Sequence, residues 1–164
     1  MWRAIYHSDW KIRRAAAQAI LNYIEMPLNA RYIGKSKKLF LACVEIAREV
    51  SNDRILEIYF IGLRILSTCL APPVCGEDIE PAVINKVVQE FVPILVKKIS
   101  ELNHKAREVS LHTLVSLFNH PAVDVYILID SCLDLCEKVP STPLSNPKIG
   151  KRLCSLRKKP KNSN

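Results

Sequence analysis

Glycine is scarce, with four residues in a chain of 164. Strand-like alternation between turn signals is equally rare, and together these absences exclude an all-β fold, which would need many tight turns. No apolar run reaches the roughly 18 residues that span a bilayer, and the N-terminus lacks the apolar stretch of a signal peptide. A soluble protein that is not secreted is expected. The six cysteines (43, 69, 75, 132, 136 and 154) form no CxxC pair, which excludes the common zinc and redox spacings. Most lie in apolar runs, where a thiol packs as a small hydrophobe, so reduced, buried thiols in a cytosolic protein are expected.

Acidic residues are missing from one end only. Residues 141–164 hold seven Lys or Arg and no acid, whereas residues 1–140 carry 17 basic against 16 acidic groups. The net charge of +8 therefore belongs to the C-terminal end, and the body is nearly neutral.

Catalytic signatures are absent as well. There is no HExxH, GxSxG or phosphate-binding Gly pattern, and His7, His104, His112 and His120 share no helix face with a Cys pair. No enzyme, cofactor or metal is expected. Cys132 and Cys136, four apart, fit one buried helix face with Leu128, Leu135 and Val139. Only a tertiary accident would join either to His112 as a metal site.

What the chain does have is ordinary globular composition, 49% hydrophobic and 24% charged, at a length that supports one core. Its apolar residues recur three and four apart, which predicts an all-α fold. Three corners then look alike. Asp9-Trp10-Lys11-Ile12-Arg13 precedes Ala16, Ala19, Ile20, Tyr23 and Ile24. Ser51-Asn52-Asp53-Arg54-Ile55 precedes Ile58, Tyr59, Gly62, Leu63, Leu66 and Cys69. Asn103-His104-Lys105-Ala106-Arg107 precedes Val109, Ser110, Leu114, Leu117 and Phe118. A short polar side chain at each corner can accept from free N–H groups of the first helical turn.

Asp9 and Asn52 are 43 residues apart, and Asn52 and Asn103 are 51 apart, the excess being the loop "LAPPVCGEDIEP". These intervals bracket the ~40–47-residue period of HEAT and armadillo units. Helices before the corners fit too, with one stripe of Leu39, Cys43, Ile46, Ala47 and Val50 and another of Ile84, Val87, Val88, Phe91, Leu95 and Ile99. Pro93 inside the second would ordinarily cost about 3 kcal/mol. A fourth corner is expected at Asn146, 43 residues after Asn103, with Pro147 at the favoured first helical position. The helix before it would carry Val125, Leu128, Ile129, Cys132, Leu135, Cys136 and Val139. One cut-short partner helix covers that wide face only in part, so residues 123–156 should be the weakest unit and should recruit a partner.

"FVPILVKKISELNHKAREVSLHTLVSL" closely resembles a HEAT repeat, whose first helix commonly carries a Pro at this point. "DWKIRRAAAQAI" resembles the opening corner of TOG domains, the HEAT-type tubulin-binding arrays, and Trp10, Lys11, Arg13 and Ala16 match that pattern. With "IEMP" after the first repeat and the long loop before the third, the order is most similar to the TOG array of the ciliary-tip centrosomal protein family, with the TOG segment of a MAP kinase kinase kinase as a second candidate. The resemblance implies an α-solenoid of HEAT-like helical hairpins, about three and a half repeats over residues 1–156, followed by a basic tail at 157–164 that buries no core.

It also implies a non-catalytic module that contacts tubulin or microtubules through its intra-repeat loops, within a centrosomal or ciliary complex of the cytoplasm and cytoskeleton, with no membrane role. Trp10 and Lys11 then fall on the first loop, Asn52 and Arg54 on the second, Lys105 on the third and Lys148 on the fourth. Arg13 and Arg107 stand where HEAT repeats often use Arg to tie units together, or they meet the partner. A general HEAT scaffold is the rival reading, and Trp10 discriminates: a TOG edge exposes it, a scaffold buries it. "KRLCSLRKKPK" resembles a nuclear-import signal or nucleic-acid contact, with Arg152 placed for a basophilic kinase at Ser155. The tail has no aromatics to stack bases, which speaks against nucleic acid.

Overall fold

In the computed structural model, which describes residues 2–72, 74–75 and 78–138, a short 3₁₀ turn (Trp2–Tyr6) is followed by seven α-helices. They are α1 (Trp10–Glu25), α2 (Pro27–Gly34), α3 (Lys37–Ser51), α4 (Leu56–Leu70), α5 (Pro81–Ile99), α6 (His104–Phe118) and α7 (Val125–Lys138). Among the described residues there is no strand. The expected corner at Asn146 and the basic tail lie outside them.

Local chemistry sets the boundaries. Asp9 starts α1 by accepting from the Lys11 N–H, and Asn103 starts α6 by accepting from the Ala106 N–H, each at 2.9 Å. Pro27 and Pro81 open α2 and α5, and the residue before each, Met26 and Glu80, is extended. A following Pro disfavours helical backbone at the preceding residue, so "EMP" separates α1 from α2. Pro93 is accommodated inside α5 on an exposed position.

The second corner is built differently from the first. Asn52 ends α3, donating from Nδ2 to the Arg48 carbonyl, and Asp53 accepts from the Ile55 N–H at 2.9 Å in the turn before α4, whose first turn has no side-chain cap.

Packing joins α3 to α4 and α5 to α6. Beyond those pairs, α4 neighbours both α1 and α6, while α5 neighbours both α3 and α7. α4 is enclosed by three helices and buries nine of its residues, among them every one of Ile58, Tyr59, Gly62, Leu63, Leu66 and Cys69, which is why it is apolar almost all round. The α3 stripe is rotated from the expected one: Phe40 and Val44 are buried with Ala47 and Val50, and Leu39 is exposed. On α1, Ala17 and Leu21 take the core positions expected of Ala19 and Tyr23, which are exposed. α5 buries Ile84, Val87, Val88, Phe91 and Leu95 as expected, with Val92 added, while Ile99 at its end is only half-buried.

Two core details carry consequences. Tyr59 Oη lies 2.6 Å from Ser110 Oγ, whose own hydrogen goes to the Ala106 carbonyl at 2.5 Å. Tyr59 therefore donates to Ser110, pinning α4 to α6, and burial pushes its phenol pKa up. At Gly62 a Cβ would stand 2.6 Å from the Ser51 backbone nitrogen and 2.9 Å from its Cα. These are backbone atoms and cannot swing aside, so Gly62→Ala must separate α3 from α4. A loss of about 2 kcal/mol is expected from such overpacking, read as a lowered urea midpoint.

Cys69 is buried, and Cys43, Cys75 and Cys132 are half-buried. The hydrogen bond between Cys43 and Cys69 pulls the Cys43 thiol pKa down, and the same bond, helped by burial, pushes that of Cys69 up. Cys136 falls within α7, and Cys154 lies outside the described residues.

Candidate functional site

The first two corners are bolted together by one side chain. Arg13 Nε and Nη2 donate to the two oxygens of Asp53 at 2.6 and 3.1 Å, while Nη1 donates to the His7 and Ser8 carbonyls at 2.8 and 3.0 Å. The guanidinium thus holds the backbone of the first corner against the carboxylate of the second. Burial pushes the Asp53 pKa up, but the hydrogen bonds from Arg13 and Ile55 and the Arg13 charge outweigh it, holding the carboxyl below its usual value. The bond to Asp53 raises the Arg13 pKa in turn. Beside this tie, Arg14 of α1 meets Glu57 in the first turn of α4 at 2.7 Å on the surface.

Around this tie lie the residues that the sequence singled out. Trp10, the first residue of α1, is 39% exposed. Lys11 beside it is exposed and makes no ion pair among the described residues, as is true of Arg54. Asn52, in the second corner, is exposed too.

A polar cleft of about 310 Å³ continues the edge, lined by Asn52, Asp53, Arg54, Lys97, Lys98 and Glu101. Lys98 is committed within it, 2.9 Å from Glu101 and 5.2 Å above the Tyr59 ring. Lys97 is exposed. Lys105 lies over the Phe60 ring at 5.6 Å, so the third corner approaches the first turns of α4. Trp10, Lys11, Arg54, Lys97 and Lys105 therefore follow one another along one end of the helices. Arg107 is exposed, and its side chain has no hydrogen-bond or ion-pair partner among the described residues, unlike that of Arg13. Lys148 lies outside the described residues.

Sequence reasoning missed Asp53 and Lys97. Asp53 stands next to a chemically similar residue, and only its pairing with Arg13 separates the two. Lys97 belongs to the last turn of α5, one turn before a corner, where spacing between corners gives no signal.

A roomy apolar cleft lies elsewhere. About 870 Å³ in volume, it lies where α4 and α6 end and α5 begins, lined by Leu70, Pro72, Ile79, Ile84, Leu117 and His120 among others. A 15-residue helix spans about 22 Å, so this apolar groove is remote from Trp10. Here His120 is structural: its Nδ1 accepts from the Ala122 N–H at 3.2 Å, so its Nε2 carries the proton and donates to the Leu70 carbonyl at 2.9 Å. His120→Ala strands both backbone groups and should cost about 1–2 kcal/mol, measured by urea denaturation.

No group of three or more His, Cys, Asp or Glu among the described residues is placed to hold a metal ion, and none of the described helices is long and apolar enough to cross a membrane. No family model, curated protein or solved structure matches the chain.

Proposed function

We propose that this chain is a non-catalytic binding module, an α-solenoid of stacked helical pairs of the TOG kind, and that it grips tubulin through the edge carrying its corners. The observation that carries this reading is Trp10, 39% exposed beside Lys11 at a corner held rigid by Arg13 and Asp53. A large aromatic anchor costs little entropy to immobilise, and flanking cations that have no ion-pair partner among the described residues draw in an acidic surface. Arg54, Lys97 and Lys105 extend the basic line across the second and third corners. The order of packing, α1 to α4 to α6 on one side and α3 to α5 to α7 on the other, supports the stacking. A general scaffold would hide Trp10, and its exposure weighs against that alternative.

In this reading the partner is tubulin or the microtubule, the wider setting is a centrosomal or ciliary complex, and the compartment is the cytoplasm and its cytoskeleton. Gel filtration of the chain with purified tubulin tests it. A complex that forms at low ionic strength and weakens as salt rises through the range where the Debye length falls below about 10 Å is expected. Separate elution at every ionic strength would refute it.

A further inference from the structure

α3 and α4 form an antiparallel hairpin across the second corner, and they press together at one level, where a Cβ on Gly62 would stand 2.6 Å from the Ser51 nitrogen. Cys69 lies seven residues beyond Gly62 on α4, and Cys43 lies eight residues before Ser51 on α3. At 1.5 Å per residue those steps are about 10 and 12 Å. The two thiols therefore sit at one level of the hairpin, two turns from the Gly62 contact, and the hydrogen bond between them shows that they face each other. Their surroundings differ: Cys69 is fully buried, whereas Cys43 is half-buried. The Cys69 S–H donates to Cys43, which holds the Cys43 pKa down and, with burial, that of Cys69 up. Peroxide-sensing pairs have this asymmetry, with one partly exposed thiol that ionises readily and a resolving thiol within reach.

We propose that Cys43 and Cys69 are a modification site that hydrogen peroxide converts into a reversible disulfide tying α3 to α4. The Cys43 thiolate attacks one peroxide oxygen, the O–O bond breaks, and Cys43 becomes a sulfenic acid while the departing hydroxide takes up the proton that Cys43 gave off. The Cys69 sulfur then attacks the Cys43 sulfur. The S–S bond forms as the S–O bond breaks, and the Cys69 proton leaves with that hydroxide as water. Two thiols give up two electrons and two protons, and one peroxide becomes two waters. A small thiol reductant restores both cysteines by exchange. The pair rests reduced, as cytosolic thiols do, and disulfides in that compartment are usually transient and redox-sensing. Cys75 makes a poorer target, since burial pushes its thiol pKa up. The inference holds whether or not the corner edge binds tubulin.

The test uses the full chain. After brief exposure to hydrogen peroxide at neutral pH and alkylation of the remaining thiols, peptide mapping without reduction should show Cys43 joined to Cys69 within the monomer, and dithiothreitol should return both as free thiols. In the reduced chain, iodoacetamide should modify Cys43 about tenfold faster than Cys75. Cys69→Ala removes the resolving thiol, so dimedone, which captures sulfenic acids, should then label Cys43. The mapping and the alkylation rates come from the unaltered chain and decide the matter even where that variant fails to fold. A Cys43 that stays free while peroxide consumes other cysteines would overturn the proposal. So would a disulfide that joins Cys43 to Cys75 or to a second chain, or alkylation of Cys43 no faster than that of Cys75.

Discussion

Trp10→Ala is expected to abolish co-elution with tubulin while leaving the unfolding free energy within about 1 kcal/mol of the parent, as for a surface side chain outside the core. The two halves belong together. Trp10 is 39% exposed and stands at the start of α1, and the helix start itself is secured by the Asp9 side chain and not by the indole. Removing the ring therefore strips an anchor from the edge without opening the core. Truncating an anchor of this kind typically costs 2 kcal/mol or more in binding, about a thirtyfold loss of affinity. A stability loss of several kcal/mol instead would mean that Trp10 works as a plug over the core.

Asp53→Ala has the opposite signature, with a large stability cost expected at neutral pH. It removes both hydrogen bonds from Arg13 and the acceptor for the Ile55 N–H, and strands a guanidinium whose side chain is only 19% exposed. A lost charged hydrogen-bond pair and a lost turn hydrogen bond together suggest about 3 kcal/mol. Asp53→Asn keeps an acceptor for the Ile55 N–H and should cost less. The pH dependence follows from the lowered Asp53 pKa. Its contribution is complete above the ordinary carboxylate pKa of about 4 and is lost as pH falls through the lower folded-state value. The gap between the urea midpoints of wild type and Asp53→Asn should therefore be steady above about pH 4 and shrink as pH falls below it. A constant gap across that range would show that the charge on Asp53 does not stabilise the fold.

The helical class is legible because α4 and α5 carry full apolar stripes, and every α4 position expected inside is inside. The corners at Asp9 and Asn103 are legible because each is a capping residue directly before its helix, where its side chain accepts from a first-turn N–H. At the second corner Asn52 and Asp53 are adjacent and chemically similar, and the particular role of Asp53 is set by Arg13, 40 residues away. α2 escapes for a different reason: eight residues give barely two turns, too few for a periodicity to stand out. On α1 and α3 the expected stripe is turned toward the wrong neighbours, since alanines at 15, 16, 17 and 19 leave the inner face ambiguous and Leu39 competes with Phe40. Of the candidate edge, Trp10, Lys11, Arg54 and Lys105 come from the resemblance to TOG loops, whereas Lys97 joins through the packing of α5 beside the second corner.

Amide exchange of the chain with and without tubulin probes the binding edge most directly. New protection confined to residues 9–14, 52–55 and 103–106 is the predicted result. Protection centred on α2 or on the groove beside His120, or no change at all at saturating tubulin, would contradict the assignment of this edge as the tubulin-binding surface.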